Sequence, residues 1–313
     1  MPNKITPKAL NMSTPIQIAA CQFLVREARD FKQFADHVNG LLDQAKDAIL
    51  VLLPELFTTE LFTTLPDWRK RRFADLIDID RYTDDYRQFF TNEASRRGQY
   101  IVAGSHLMRK DGAYYNVGHL FAPGGLVHQH VKTHIFPAES DWSTQEGDEM
   151  QVLDLPFAKV GFNICYEAEI PECSASLAEQ GAEIILCPSD TLTEYGFWRV
   201  RHCAQARAIE NQIYFVHCCL GGGPGSPLPN GWARSSIISP CDVPWKNASG
   251  VIAEANPNKE MVIRGAVDLD VLRENREKGA ATTFKDRRRR ASIYANWPSH
   301  LAVHELAPPV SRY

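Results

Sequence analysis

The stretch 159–172, KVGFNICYEAEIPE, begins as a buried strand and stops being one at Cys165. An aromatic residue, three carboxylates and a proline then follow within seven residues. A thiol is easily buried as a small hydrophobe, but carboxylates beside it raise its pKa and weaken it as a nucleophile. Either Cys165 is inert or a cation from elsewhere in the chain sits against it.

Working outward, strand-like apolar runs recur at 16–23, 48–55, 100–108, 116–123 and 126–134. They continue at 182–189, 213–222, 233–240 and 261–270. Helical periodicity fits 25–47, where Phe31, Phe34, Val38, Leu41, Leu42 and Ala45 share one face, and also 67–98, 171–181 and 194–211. Turns around DGAYYN and APGGLV predict hairpins. So many strands against so few helices exceed a simple doubly wound sheet. Two packed sheets with helices outside would bury strands on both faces.

The 313 residues suit one large domain. A net charge of −4 gives no reason to expect a nucleic-acid partner. No apolar run approaches the ~20 residues of a membrane span. Residues 1–15 read as a flexible lead-in without a signal-peptide core, 16–275 as the domain and 276–313 as an extension packed on the domain or a subunit partner. The eight cysteines form no CxxC pairs and several lie in apolar runs, which predicts buried thiols and a cytoplasmic location. The sequons at Asn11 and Asn247 are then chance matches, and KDRRRR (285–290) reads as a solvated surface or subunit contact.

Three apolar runs carry a reactive-type side chain near their ends: Glu55, Lys132 and Cys165. Open sheets place sites at such ends. Together they answer the opening puzzle. A Lys132 ammonium against Cys165 would favour thiolate, and Glu55 would take the thiol proton and return it to a leaving amine. Lys132 and the backbone N–H of Tyr166 would stabilise an oxyanion. This set needs neither a metal nor a cofactor.

LLPELF, KTHIFPAESDW and GFNICYEAEIPE resemble the three catalytic blocks of the nitrilase, or carbon–nitrogen hydrolase, superfamily. GAEIILCPS, RVRHCAQARAIENQIYFV and YYNVGHLFAPGG extend the resemblance in family order across about residues 16–275. It implies a four-layer α-β-β-α sandwich, a homodimer or higher homo-oligomer, Glu55 as general base, Lys132 as oxyanion stabiliser and Cys165 as nucleophile. A second family glutamate that positions the lysine matches Glu139 best and Glu146 less well. The implied substrate is a small amide or N-carbamyl compound; nitrile hydrolysis and acyl transfer to an amine use the same thioester. Two positions depart from the pattern. Glu167 stands where the family commonly has Asp, and Glu169 stands where relatives that act on carboxylate-bearing amides hold an Arg. If Glu169 faces the pocket, it repels anionic substrates; otherwise it pairs with Arg199 or Arg201. Ser189, Asp190 and Thr191 follow a strand where the family lines its pocket.

Arg207, Glu210 and Asn211 read as structural hydrogen bonders, and the glycine-rich 221–231 as a loop rimming the pocket, without phosphate-binding spacing. His128, His130 and His134 share a strand face by period, and are read as packed or solvated rather than as metal ligands. A papain-like protease would need glycine and tryptophan around the cysteine, which this block lacks. A scaffold that had lost activity would have no reason to keep Glu55, Lys132 and Cys165 together.

Overall fold

The computed structural model describes residues 15–142, 145–222 and 231–295. Its strands are β1 (Ile16–Val25), β2 (Leu50–Leu52), β3 (Tyr100–Lys110), β4 (Ala113–Ala122), β5 (Gly125–Val131) and β6 (Val152–Asp154). They continue with β7 (Lys159–Phe162), β8 (Ile184–Asp190), β9 (Tyr214–Gly222), β10 (Ser236–Ile238), β11 (Val251–Glu254) and β12 (Met261–Val267). The main helices are α1 (Phe31–Gln44), α2 (Thr83–Arg97), α3 (Pro171–Glu179), α4 (Glu194–Glu210), α5 (Leu269–Lys278) and α6 (Thr283–Arg289). Strands run β5-β4-β3-β2-β1-β12 in one half and β6-β7-β8-β9-β10-β11 in the other. The halves join where Phe23–Val25 of β1 pairs in parallel with Leu220–Gly222 of β9.

Period-two alternation sorts the strand residues into layers. Ile18, Ala20, Leu50 and Leu52 pack against Val160, Phe162, Ile184, Leu186 and Val216, forming the core between the halves. Their neighbours Ala19, Cys21, Val51 and Leu53 face the other way, under Phe34, Val38, Leu41 and Leu42 of α1 and Phe90 of α2. On the far side Ile185, Cys187 and Phe215 are covered by Leu177 of α3 and Val200, Ala204 and Ala208 of α4. The result is an α-β-β-α sandwich. No helix among the described residues is long and apolar enough to cross a membrane.

Local signals account for most helix starts. Asp30 accepts from Gln33 N at 2.8 Å to cap α1, and Thr193 accepts from Gly196 N at 3.2 Å to cap α4. Pro171 starts α3, where its missing N–H costs nothing. The expected helix over 67–98 forms only from Thr83; before it lie 3-10 turns, entered through Asp67 at φ 54° directly after Pro66. Left-handed backbone at one residue interrupts a right-handed helix. Strands β6 and β11 lie outside the runs expected from the sequence. The expected strand 126–134 stops at Val131 because Lys132 and Thr133 turn inward to buried carboxylates.

The boundary expected at 275 falls inside α5, whose Arg276 is buried and donates to Gln212 O and Ala182 O. In the basic run Lys285, Asp286, Arg289 and Arg290 are exposed, in keeping with a solvated surface, while Arg287 and Arg288 are half-buried against the domain. Phe284 lies between the guanidinium groups of Arg276 and Arg288, at 4.0 and 3.4 Å from its ring centre. Arg288 donates to Ala178 O near the end of α3, and Arg287 to Asn211 Oδ1 at the end of α4. Cations at helix C-termini are favourable. The lead-in 1–14 and residues 223–230 of the glycine-rich loop lie outside the described residues.

One glycine positions the site directly. Gly104 in β3 has φ +55°, and a Cβ there would lie 1.9 Å from Pro54 O, next to Glu55. Gly104→Ala is expected to lower stability by roughly 1–3 kcal/mol, the cost of strained backbone, and to reduce turnover by displacing Glu55. Urea unfolding and steady-state rates check this; an unchanged midpoint would show that the loop has room.

Candidate active site

Three strand ends converge. Glu55 lies three residues after β2, Lys132 directly after β5, and Cys165 opens the 3-10 turn Cys165–Glu169 that follows β7. Lys132 Nζ donates to Glu55 Oε1 at 2.8 Å and to Glu139 Oε2. Asn116 of β4 donates through Nδ2 to both carboxylates, at 2.9 Å each. The other oxygen of Glu55 accepts from Asp190 N at 2.9 Å, while Asp190 O lies 3.3 Å from Cys165 Sγ and accepts from it. Glu55, Lys132, Glu139 and Cys165 are all buried. Glu146, the weaker sequence match, instead accepts from Ile135 N at 3.1 Å.

The acids that follow Cys165 do not surround its thiol. Glu167 is fully buried and accepts from Ile164 N at 2.5 Å, Thr133 N at 2.6 Å and Thr133 Oγ1 at 2.8 Å, with His130 Nε2 at 3.0 Å. Burial pushes its pKa up, but His130 and the two backbone N–H groups bring it below the usual value. Glu169 pairs with Arg199 Nε at 3.3 Å, and Glu172 is exposed in the first turn of α3. Arg207 donates to Ala168 O and Glu169 O, both at 3.2 Å. These bonds hold Cys165 at φ 46°, a strained value for a residue with a Cβ, and tie its turn to the Lys132 segment.

The carboxylate that raises the thiol pKa comes from another strand. Burial pushes Cys165 well up and Glu55 adds to this, while Lys132 and Ser189 pull it down without prevailing. Lys132 thus acts on the thiol in the expected direction, but its pull is smaller than the push of burial and Glu55. Burial also raises Glu55, against Lys132 and with Glu139, making it a stronger base than an exposed glutamate. Lys132 would be lowered by burial, but Glu139 and Glu55 raise it well above its usual value, so it stays charged.

These groups floor a cavity of about 30 Å³. Its polar lining is Glu55, Lys132, Glu139, Cys165 and Asp190; Leu56, Phe73, Phe136, Trp142 and Leu192 supply apolar walls. Of the other sequence candidates, Ser189 is buried beside the thiol, and Tyr166 meets the wall residue Phe136 edge-on at 5.6 Å. Thr191 turns away, donating to Trp232 O at 3.0 Å. Neither Thr191 nor Glu169 lines the cavity. His128 and His130 share a face, both near Phe162, while His134 lies beyond the strand beside Thr133 and Cys173. Among the described residues, no group of three or more His, Cys, Asp or Glu side chains is placed to hold a metal ion.

Asn116 was not singled out from the sequence, although it lies in YYNVGHLFAPGG. One polar residue in a strand resembles any packed amide; only its two partners mark it as part of the site. Phe73, Phe136 and Trp142 were likewise silent as pocket walls.

Comparison with known proteins adds to this geometry. The chain is 37% identical over 293 residues to the probable hydrolase YhcX of Bacillus subtilis, covering 91% of this chain but only 56% of YhcX. It is 27% identical over 279 residues to omega-amidase NIT2-A of Xenopus laevis, covering 84% of this chain and 92% of that protein. A solved amidase variant from Nesterenkonia sp. AN1, with an acetamide moiety covalently added at its active-site cysteine, superposes with a TM-score of 0.65 at 19% identity, covering 95% of this chain and all of that one. Residues 17–277 match the family model for carbon–nitrogen hydrolases. With that span matched and its strand ends gathered around a buried cysteine, the chain belongs to the carbon–nitrogen hydrolase family.

Proposed function

We propose that the protein hydrolyses the carbon–nitrogen bond of a small amide or N-carbamyl compound through a thioester on Cys165. The observation that carries this reading is the buried contact set of Glu55, Lys132, Glu139 and Cys165 around one cavity. Glu55 takes the thiol proton as sulfur bonds to the substrate carbonyl carbon. The carbonyl π pair moves to oxygen, where Lys132 meets it; two of the three Lys132 N–H donors hold Glu55 and Glu139, which leaves one for the oxyanion. The tetrahedral adduct collapses as its C–N bond breaks and the proton on Glu55 passes to the leaving nitrogen. Water then gives a proton to Glu55, bonds to the acyl carbon and displaces sulfur. The proton returns to sulfur and the acid departs. Glu139 and Asn116 keep Lys132 and Glu55 in register throughout.

A panel of amides, N-carbamyl amines and nitriles, scored for ammonia, tests the reading. Ammonia from amides or carbamyl compounds is the expected result; acyl transfer would appear as a conjugate formed only when an amine is added. Failure to release ammonia from any member would overturn hydrolysis. The assembly proposed is a homodimer or larger homo-oligomer, which light scattering of the purified chain decides. All eight cysteines are free, which supports the proposed cytoplasmic location.

A further inference from the structure

Asp190 ends β8 and enters the cavity with its backbone fixed twice, by Glu55 through its N–H and by Cys165 through its carbonyl. Its Oδ1 is shut off from solvent and has no hydrogen-bond partner among the described residues. Buried polar atoms are ordinarily paired, so an orphan in a reaction cavity points to a partner that arrives with the substrate. The charge balance says which partner. Glu55, Glu139 and Asp190 line the cavity, and Lys132 is the one cation among the lining residues, already ion-paired with both glutamates. Arg199 lies outside the lining, paired with Glu169.

Resting on the hydrolase reading above, the geometry points to Asp190 Oδ1 as the recognition point for a cationic nitrogen on the acyl part of the substrate. Because Asp190 O already touches Cys165 Sγ, that nitrogen stands only a few bonds from the scissile carbonyl, as in a short amino amide. Burial, with Glu55 and Glu139 nearby, holds the Asp190 carboxyl well above its usual pKa. An ammonium beside it supplies the missing donor and lets it ionise. A substrate carboxylate meets three carboxyl groups and, among the described lining residues, no uncommitted cation. The acid that sets charge preference is thus Asp190 rather than Glu169, whose partner is Arg199.

The test compares kcat/KM for β-alaninamide, propionamide and succinamate, which are cationic, neutral and anionic. The parent protein is expected to prefer β-alaninamide over propionamide by about tenfold to a hundredfold, the scale of one buried charge pair, and to use succinamate least. In Asp190→Asn that ratio should collapse toward one. The parent ranking alone tests the assignment should the variant fail to fold. Equal or better use of propionamide or succinamate by the parent, or an unchanged ratio in Asp190→Asn, overturns the assignment and leaves the hydrolase reading standing. Absence of ammonia from every amide and carbamyl compound overturns both.

Discussion

Cys165→Ala is expected to lower turnover by at least about 10⁴-fold, the scale of removing a covalent nucleophile whose partners remain in place. The residue contributes the only sulfur lining the cavity among the described residues, and its turn is held by Glu167 and Arg207 independently of that sulfur. The variant should therefore fold with little change in unfolding midpoint. Intact-mass measurement during turnover should show an acyl adduct on the parent and none on the variant. An adduct that persists in Cys165→Ala, or turnover within tenfold of the parent, would remove the thioester from the mechanism.

The second large effect belongs to Lys132. Its ammonium lies between two buried carboxylates, and removing one partner of a buried ion pair leaves the other uncompensated. Lys132→Ala should cost about 3–5 kcal/mol of stability and at least about a hundredfold in turnover, the value of one oxyanion donor. The two losses separate in a double variant. Adding Glu139→Gln removes one stranded carboxylate and should recover part of the stability while activity stays low. Recovery of activity, or no stability loss in Lys132→Ala alone, would contradict the arrangement. Glu55→Gln should also lower turnover about a hundredfold, the scale of a general base. An amide cannot carry the proton between sulfur and nitrogen, and its NH₂ would face either Lys132 Nζ or Asp190 N, both donors.

The reversal at the nucleophile shows where sequence reading reaches its limit. Three acids within seven residues of Cys165 suggested an anionic setting that a lysine had to correct. Each of them has another partner or faces solvent: Glu167 holds backbone N–H groups and His130, Glu169 meets Arg199, and Glu172 is exposed. The carboxylate acting on the thiol is Glu55. The two lie far apart in sequence and adjacent in space, so no local pattern encodes their proximity.

Most of the strands, most of the helices and the places of Glu55, Lys132 and Cys165 at strand ends were legible from the sequence. Apolar period and the point where it fails are local properties. The three motif blocks carried the layered fold and the family for the same reason, since each is a contiguous run. Tertiary structure decided the rest. It placed Glu139 rather than Glu146 on Lys132, brought Asn116 to both glutamates, and put Asp190 in the cavity while sending Glu169 to Arg199. It also turned two arginines of the basic run onto helix ends. In each case the choice lay between chemically equivalent side chains. It was made by which distant strand, carbonyl or cation the packed sheets brought within a few ångströms, because hydrogen bonds and buried charges act only at that range.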